Sequence, residues 1–134
     1  MVPLFVAEPA TRQAERWLRA DPQVVVWMLT RVELLSALAR RRRDEPRANR
    51  ALRAARNEIV EASEDWSEIT AVEVVRRHAE RIVETHPLRA ADALQLGAAI
   101  VAADEHPQTL ELVTLDERLA EAAAREGFRV LGVS

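Results

Sequence analysis

The stretch from Leu88 to Ala103, LRAADALQLGAAIVAA, constrains this chain more than any other. It reads as a helix that is apolar on nearly every side, and such a helix belongs in a domain core. Its only charged or amide residues, Arg89, Asp92 and Gln95, recur at i, i+3 and i+6 and so are near neighbours on one face. An ionised carboxylate in such a helix is costly unless it is paired, hydrogen-bonded or bound to a cation. Asp92 therefore requires a partner. Arg89 on the same helix is one candidate, and a metal ion is another.

A chain of 134 residues, 49% of them hydrophobic, supports one compact domain with a real core and excludes a disordered chain. No apolar run reaches the roughly 18–20 residues of a membrane span, and the first residues lack the charged lead of a signal peptide. Without cysteine there is no disulfide framework and no thiolate metal site. These features point to a soluble cytoplasmic protein with no membrane partner. The net charge of −3 conceals an asymmetry, because positions 1–56 carry twelve arginines against six acids and positions 57–134 carry seven against sixteen.

The first residues, MVPLFVAEP, are apolar and begin with no strand before them. Thr11 can cap a helix through Ala20, which Asp21-Pro22 breaks. Val24–Met28 is a continuous apolar run suited to a strand buried on both faces of a parallel sheet. Helices are expected from Thr30 to Arg43 and from Pro46 to about Ser63, with a short strand at Trp66–Ile69. Thr70 and Glu73 form a capping-box pattern ahead of a helix to about Glu84, and Pro87 opens the apolar helix. Leu110–Thr114 reads as a strand, Asp116–Glu126 as a helix stopped by Gly127, and Phe128–Val133 as a last strand. This alternation predicts a single α/β domain, a three-layer sandwich whose mostly parallel central sheet is flanked by helices. His78, His86 and His106 show no metal-ligand spacing and read as surface residues.

In an open parallel sheet, ligands gather at the carboxyl ends of the strands. Glu33 falls in the first helical turn after one strand, and Asp116 two residues beyond another. Each has an ordinary structural reading: Thr30-Arg31-Val32-Glu33 fits a capping box, and Asp116 is a natural helix N-cap. Three carboxylates, Glu33, Asp92 and Asp116, brought by three elements to one sheet edge suggest a site for a hard divalent cation. Mg²⁺ takes oxygen ligands and relies on few protein carboxylates plus waters and substrate phosphate. A site of that kind can activate water for phosphodiester cleavage.

At these residues the chain resembles a PIN domain, and within that group the VapC-type toxin ribonucleases of bacterial toxin–antitoxin pairs. LFVAEP, TRVELLSALARR around Glu33, LRAADALQLGAA around Asp92 and VTLDERLAEAAAREGFRV around Asp116 carry the resemblance, in the family's order. The resemblance implies a parallel α/β sandwich, Mg²⁺ (or Mn²⁺) held by a ring of acids, and endonucleolytic cleavage of RNA. It also implies a homodimer and an antitoxin that blocks the site. By position, Glu33, Asp92 and Asp116 match the family's second, third and fourth acids. Thr114 matches a recurrent Ser/Thr that helps to orient metal-bound water. The family's first strand, ending in Asp, precedes the apolar run with which this chain begins. The resemblance therefore leaves the central strand and first acid absent, with Glu8 no substitute because it follows the run. A start codon placed about eight to ten residues late, by normal strand length, or a truncated, inactive relative would each account for this. On that reading the chain has weak or no nuclease activity, since three acids hold Mg²⁺ less well than four.

Positions 40–56 hold eight arginines against Asp44 and Glu45. The spacing of Arg47, Arg50, Arg53 and Arg56 suits a solvated helix face, while Arg47 and Arg50 are the candidates for contact with an RNA backbone. No aromatic residues are interleaved to stack bases. The leading expectation is a metal-dependent endoribonuclease toxin. The alternative is a catalytically inactive PIN-like module that dimerises or binds antitoxin. A DNA-binding regulator lacks a recognition-helix pattern and leaves Asp92 without a role.

Overall fold

The computed structural model describes residues 4–7 and 24–132. Five short strands form one sheet: β1 (Leu4–Val6), β2 (Val24–Trp27), β3 (Ser67–Ile69), β4 (Glu111–Val113) and β5 (Arg129–Leu131). Their spatial order is β3-β2-β1-β4-β5, and every neighbouring pair is parallel. The helices are α1 (Thr30–Asp44), α2 (Asn49–Ser63), α3 (Val72–Thr85), α4 (Ala90–Ala102) and α5 (Glu117–Arg125). The α/β sandwich expected from the sequence is the observed architecture, with ends moved by one to three residues. The expected helix from Thr11 to Ala20 lies outside the described residues.

The N-terminal run departs from expectation. Leu4–Val6 occupies the centre of the sheet, with Leu4 in register with Val24 on one side and Glu111 on the other. The place of the central strand, expected to be empty, is thus filled by the run that the resemblance put after it. The cause lies in its side chains. Phe5, fully buried, belongs to the main core, and Val6, 1% exposed, belongs to a second cluster with Val24, Val26 and Val113. Alternate residues serve opposite faces, as in any strand covered on both sides. Ala7 extends the ladder, donating its N–H to the Val113 carbonyl at 3.0 Å.

The apolar helix α4 is the keystone of the core. Ala93, Leu96, Ala98 and Ala99 are fully buried, packed with Val75 and Ile82 of α3 and Leu112 of β4. Gly97 permits this closeness, because a Cβ there would lie 2.8 Å from the Val75 carbonyl oxygen and 3.3 Å from the Ala79 nitrogen. Asp92 is held in the first turn of a helix that the core does not let move.

Two expected capping boxes do not form. Leu29 is the N-cap of α1 and Ala71 that of α3, neither with a side-chain cap bond. Thr30, fully buried, spends its hydroxyl on Gln95 of α4 instead, which docks α1 onto the core. The histidine expectation is also corrected. His86 is buried, its Nε2 2.8 Å from Glu126 Oε2, and Arg81 grips the same carboxylate from Nη2 at 2.8 Å and Nη1 at 3.2 Å. Glu126 is the C-cap of α5, where a carboxylate opposes the helix dipole, and the Arg81 guanidinium together with the His86 hydrogen bond offsets that opposition. His78 is half-buried against Glu105 at 3.2 Å, and His106 is exposed.

Candidate metal and active site

The sheet register places Ala7, Trp27 and Thr114 at one edge, the carboxyl ends of β1, β2 and β4. Helices α1, α4 and α5 all begin near this edge, and each brings a carboxylate in or just before its first turn. An acid at a helix start gains from the positive end of the macrodipole, which explains why the sequence can keep three of them here.

Asp116 is both structural and available. Its Oδ1 accepts from the N–H groups of Arg118 at 2.9 Å and Leu119 at 3.0 Å, as an N-cap should. That leaves Oδ2 without a hydrogen bond among the described residues. Thr114, fully buried, accepts the Asp116 N–H on Oγ1 at 3.1 Å. Its hydroxyl therefore fixes the start of α5, and it stands one step behind the carboxylate rather than in the open cavity.

Asp92 shares a cavity of about 530 Å³ with Asp116, completed by Pro87, Arg89, Glu117 and Arg118. Burial pushes the Asp92 carboxyl above its ordinary 3.8, the nearby Asp116 charge adds to the rise, and Arg89 opposes it. Arg89 thus acts at a distance and forms no direct ion pair with Asp92, so it does not satisfy the acid.

Glu33 is coupled to the pair without joining it. It lines a second cavity of about 560 Å³ with Ala7, Val32, Leu34, Ser36, Ala37 and Arg40. Burial raises its carboxyl above the ordinary 4.5, the Gln95 hydrogen bond opposes the rise, and Asp92 adds to it. Gln95 Nε2 donates to Glu33 Oε1 at 3.3 Å and to Thr30 Oγ1 at 2.9 Å. Among the described residues, no three His, Cys, Asp or Glu side chains converge tightly enough to form a metal cage. The structure therefore brings Asp92 and Asp116 together, with Glu33 one step aside in electrostatic reach of Asp92. Sequence reasoning placed no role on Gln95 beyond its spacing from Asp92, which was the available signal.

The chemistry of these donors fits a hard divalent cation. Asp92 accepts no hydrogen bond among the described residues, Asp116 has one oxygen free, and the Asp92 carboxyl is raised in part by Asp116. A cation between them would relieve that repulsion, and Mg²⁺ needs only one or two carboxylates with waters and phosphate. Arg47 and Arg50, by contrast, lie beyond the far end of α1. Glu33 and Asp44 alone are separated by about 16 Å of helix.

The class is defined by a five-stranded parallel α/β domain that presents paired carboxylates at the carboxyl edge of its sheet. The chain belongs to the PIN domain family, whose profile matches residues 1–125. Among solved structures it is similar to a chain of a toxin–antitoxin complex from Klebsiella pneumoniae, with 17% identity, a TM-score of 0.59, and coverage of 88% of this chain and 90% of that one. It is likewise similar to PAE2754 from Pyrobaculum aerophilum, with 19% identity, a TM-score of 0.63, and coverage of 90% and 84%. These likenesses establish a shared fold. No curated protein sequence matches the chain.

Proposed function

We propose that the chain is the toxin of a toxin–antitoxin pair, a Mg²⁺-dependent (or Mn²⁺-dependent) endoribonuclease of the VapC type. The observation that carries this reading is the Asp92–Asp116 pair facing one cavity, with Asp92 raised by burial and further by its neighbour. PIN domains generally use divalent metal ions, and the Klebsiella pneumoniae neighbour comes from a toxin–antitoxin complex. Both favour the proposal.

Asp92 and Asp116 would hold the cation, with Glu33 at its margin. When bound, such a cation supplies Lewis-acid activation of water and charge stabilisation at a phosphodiester. The chain's own residues do the rest. The two α5 N–H bonds lock Asp116 in one orientation, and Thr114 fixes the backbone from which it projects. Arg89 and Arg118, lining the same cavity, offer positive charge to the RNA backbone. An antitoxin and a second copy of the chain are the protein partners of this reading. The exposed Met28, Leu29 and Val32 beside the Glu33 cavity supply apolar surface for one of them. Among the described residues no helix is long and apolar enough to cross a membrane.

The test is cleavage of single-stranded RNA by the purified chain with Mg²⁺ or Mn²⁺. Activity that EDTA abolishes and Asp92→Asn removes supports the proposal; metal-independent cleavage sinks it. The absence of a tight three-acid cage among the described residues favours a second reading, the catalytically inactive module. That reading predicts no cleavage at any metal concentration together with retained antitoxin binding.

A further inference from the structure

Gln95 is the one polar residue of the α4 face that the proposed chemistry leaves unused. It is 4% exposed, and buried amides are kept only where they are hydrogen-bonded. Its Nε2 is shared between two residues of α1, Thr30 Oγ1 at 2.9 Å and Glu33 Oε1 at 3.3 Å. Thr30 is fully buried, so the amide is immobilised from one side before it meets the carboxylate. Glu33 is otherwise an exposed side chain on α1. A glutamate there has its rotamers open to it, and most of them carry the carboxylate into water. The Gln95 bond is the only one that the Glu33 carboxylate accepts among the described residues.

Gln95 lies one helical turn beyond Asp92 on the same face of α4. A carboxylate tied to Gln95 is thereby kept beside Asp92, and its bond partner is fixed by the core rather than by the loop that precedes α1. We infer that Gln95 is a positioning residue that holds Glu33 at the margin of the Asp92–Asp116 pair, within electrostatic reach of Asp92, and so sets how strongly the site takes a divalent cation. The inference rests on the metal-site reading proposed above. The Thr30 bond gives Gln95 a structural task as well, docking α1 on the core, and the test has to separate the two.

The measurement is Mn²⁺ affinity by titration calorimetry on the full chain without RNA, with urea unfolding run in parallel. Gln95→Leu keeps the volume and removes the hydrogen bonding to Thr30 and to Glu33 alike. Loss of a residue that orients a metal ligand costs about 10–100-fold in affinity, and a bond of this length places the expectation near tenfold. In a Glu33→Gln background, the same Gln95→Leu change is expected to alter Mn²⁺ affinity less than twofold, because its target is already gone. Thr30→Val removes only the docking bond, and is expected to lower stability while leaving Mn²⁺ affinity within about threefold, well short of a tenfold step of ~1.4 kcal/mol. An equal loss from Gln95→Leu in both backgrounds, or no loss in the parent, overturns the inference and leaves Gln95 a structural amide. Mn²⁺ binding that survives Asp92→Asn overturns the underlying site reading instead, which is a different failure.

Discussion

Replacing Gly97 with alanine sets two opposed effects against each other, and the structure decides between them. In a bare helix the change is favourable by about 1 kcal/mol, since glycine carries the larger backbone entropy loss. In this helix the new methyl would sit 2.8 Å from the Val75 carbonyl oxygen and 3.3 Å from the Ala79 nitrogen. Both are backbone atoms of α3, so no side chain can rotate out of the way. To reach the 3.4 Å where ordinary contact begins, the two helices must part by several tenths of an ångström. That loosens Val75, Ala79 and Ile82 against Ala93, Leu96 and Ile100, all members of the main core. Overpacking of this kind costs about 1–3 kcal/mol, which after the helix-propensity gain leaves Gly97→Ala a net destabilisation centred on about 1 kcal/mol and of at most about 2 kcal/mol. In a domain this size that is a fall in Tm of about 5 °C. Urea unfolding of parent and variant at neutral pH, with unchanged slope, reads it directly. A variant more stable by the bare helix propensity would refute the reasoning, because it would mean that α3 and α4 do not meet at Gly97.

Three further outcomes are expected. Glu126→Gln removes the carboxylate shared by Arg81 and His86 and should cost about 1–2 kcal/mol at pH 7, the exposure of Arg81 limiting the loss. The Glu126 carboxyl is held below its ordinary 4.5 first by Arg81 and then by His86. Its stabilisation is therefore present above pH 4.5 and fades below it, so urea midpoints of parent and variant should converge in acid. Asp92→Asn should have the opposite sign: a carboxyl raised by burial and by Asp116 penalises the fold wherever it is ionised, so the variant should melt higher at pH 7 and the gap should close as pH falls towards 3.8. Mn²⁺ should then raise the Tm of the parent and not that of the variant. Charge reversal at Arg47 and Arg50 together, read by fluorescence anisotropy of single-stranded RNA in EDTA, should flatten the salt dependence by about 1.4 if each contacts a phosphate; an unchanged slope assigns that helix face to solvent.

What could be read from the chain alone was whatever has local causes. The apolar pattern of α4 marks it as core, the isolation of Asp92 within it marks a group in need of a partner, and Asp116 ahead of Glu117–Arg125 is a local N-cap. What escaped depends on contacts between distant residues. Thr30 and Glu33 have capping-box spacing, yet the hydroxyl finds Gln95, 65 positions away, and that bond decides the start of α1. His86 reads as a turn residue because Glu126, 40 positions later, is what makes its burial tolerable. The strand Leu4–Val6 is three residues long, too short for periodicity to separate strand from helix, and only its neighbours β2 and β4 settle it.

The acids at the sheet edge are separable in role. Each helix start offers a carboxylate a favourable dipole, so acids there are cheap one at a time and need imply no function. Burial raises both Asp92 and Glu33, and their charges add to it, Asp116 acting on Asp92 and Asp92 on Glu33, with no cationic partner in direct contact among the described residues. The Arg81–Glu126–His86 group shows how this protein treats a carboxylate that is only structural, with a guanidinium and an imidazole hydrogen-bonded to it and its pKa lowered, first by Arg81. Arg89 and Arg118 stand in the Asp92–Asp116 cavity and form no ion pair with either acid. Guanidinium groups left unpaired beside two carboxylates, among the described residues, suit an anion, and the carboxylates themselves suit a cation, which is why the function proposed above is assigned to this edge. On that proposal, a phosphodiester accompanied by a divalent metal ion would satisfy both.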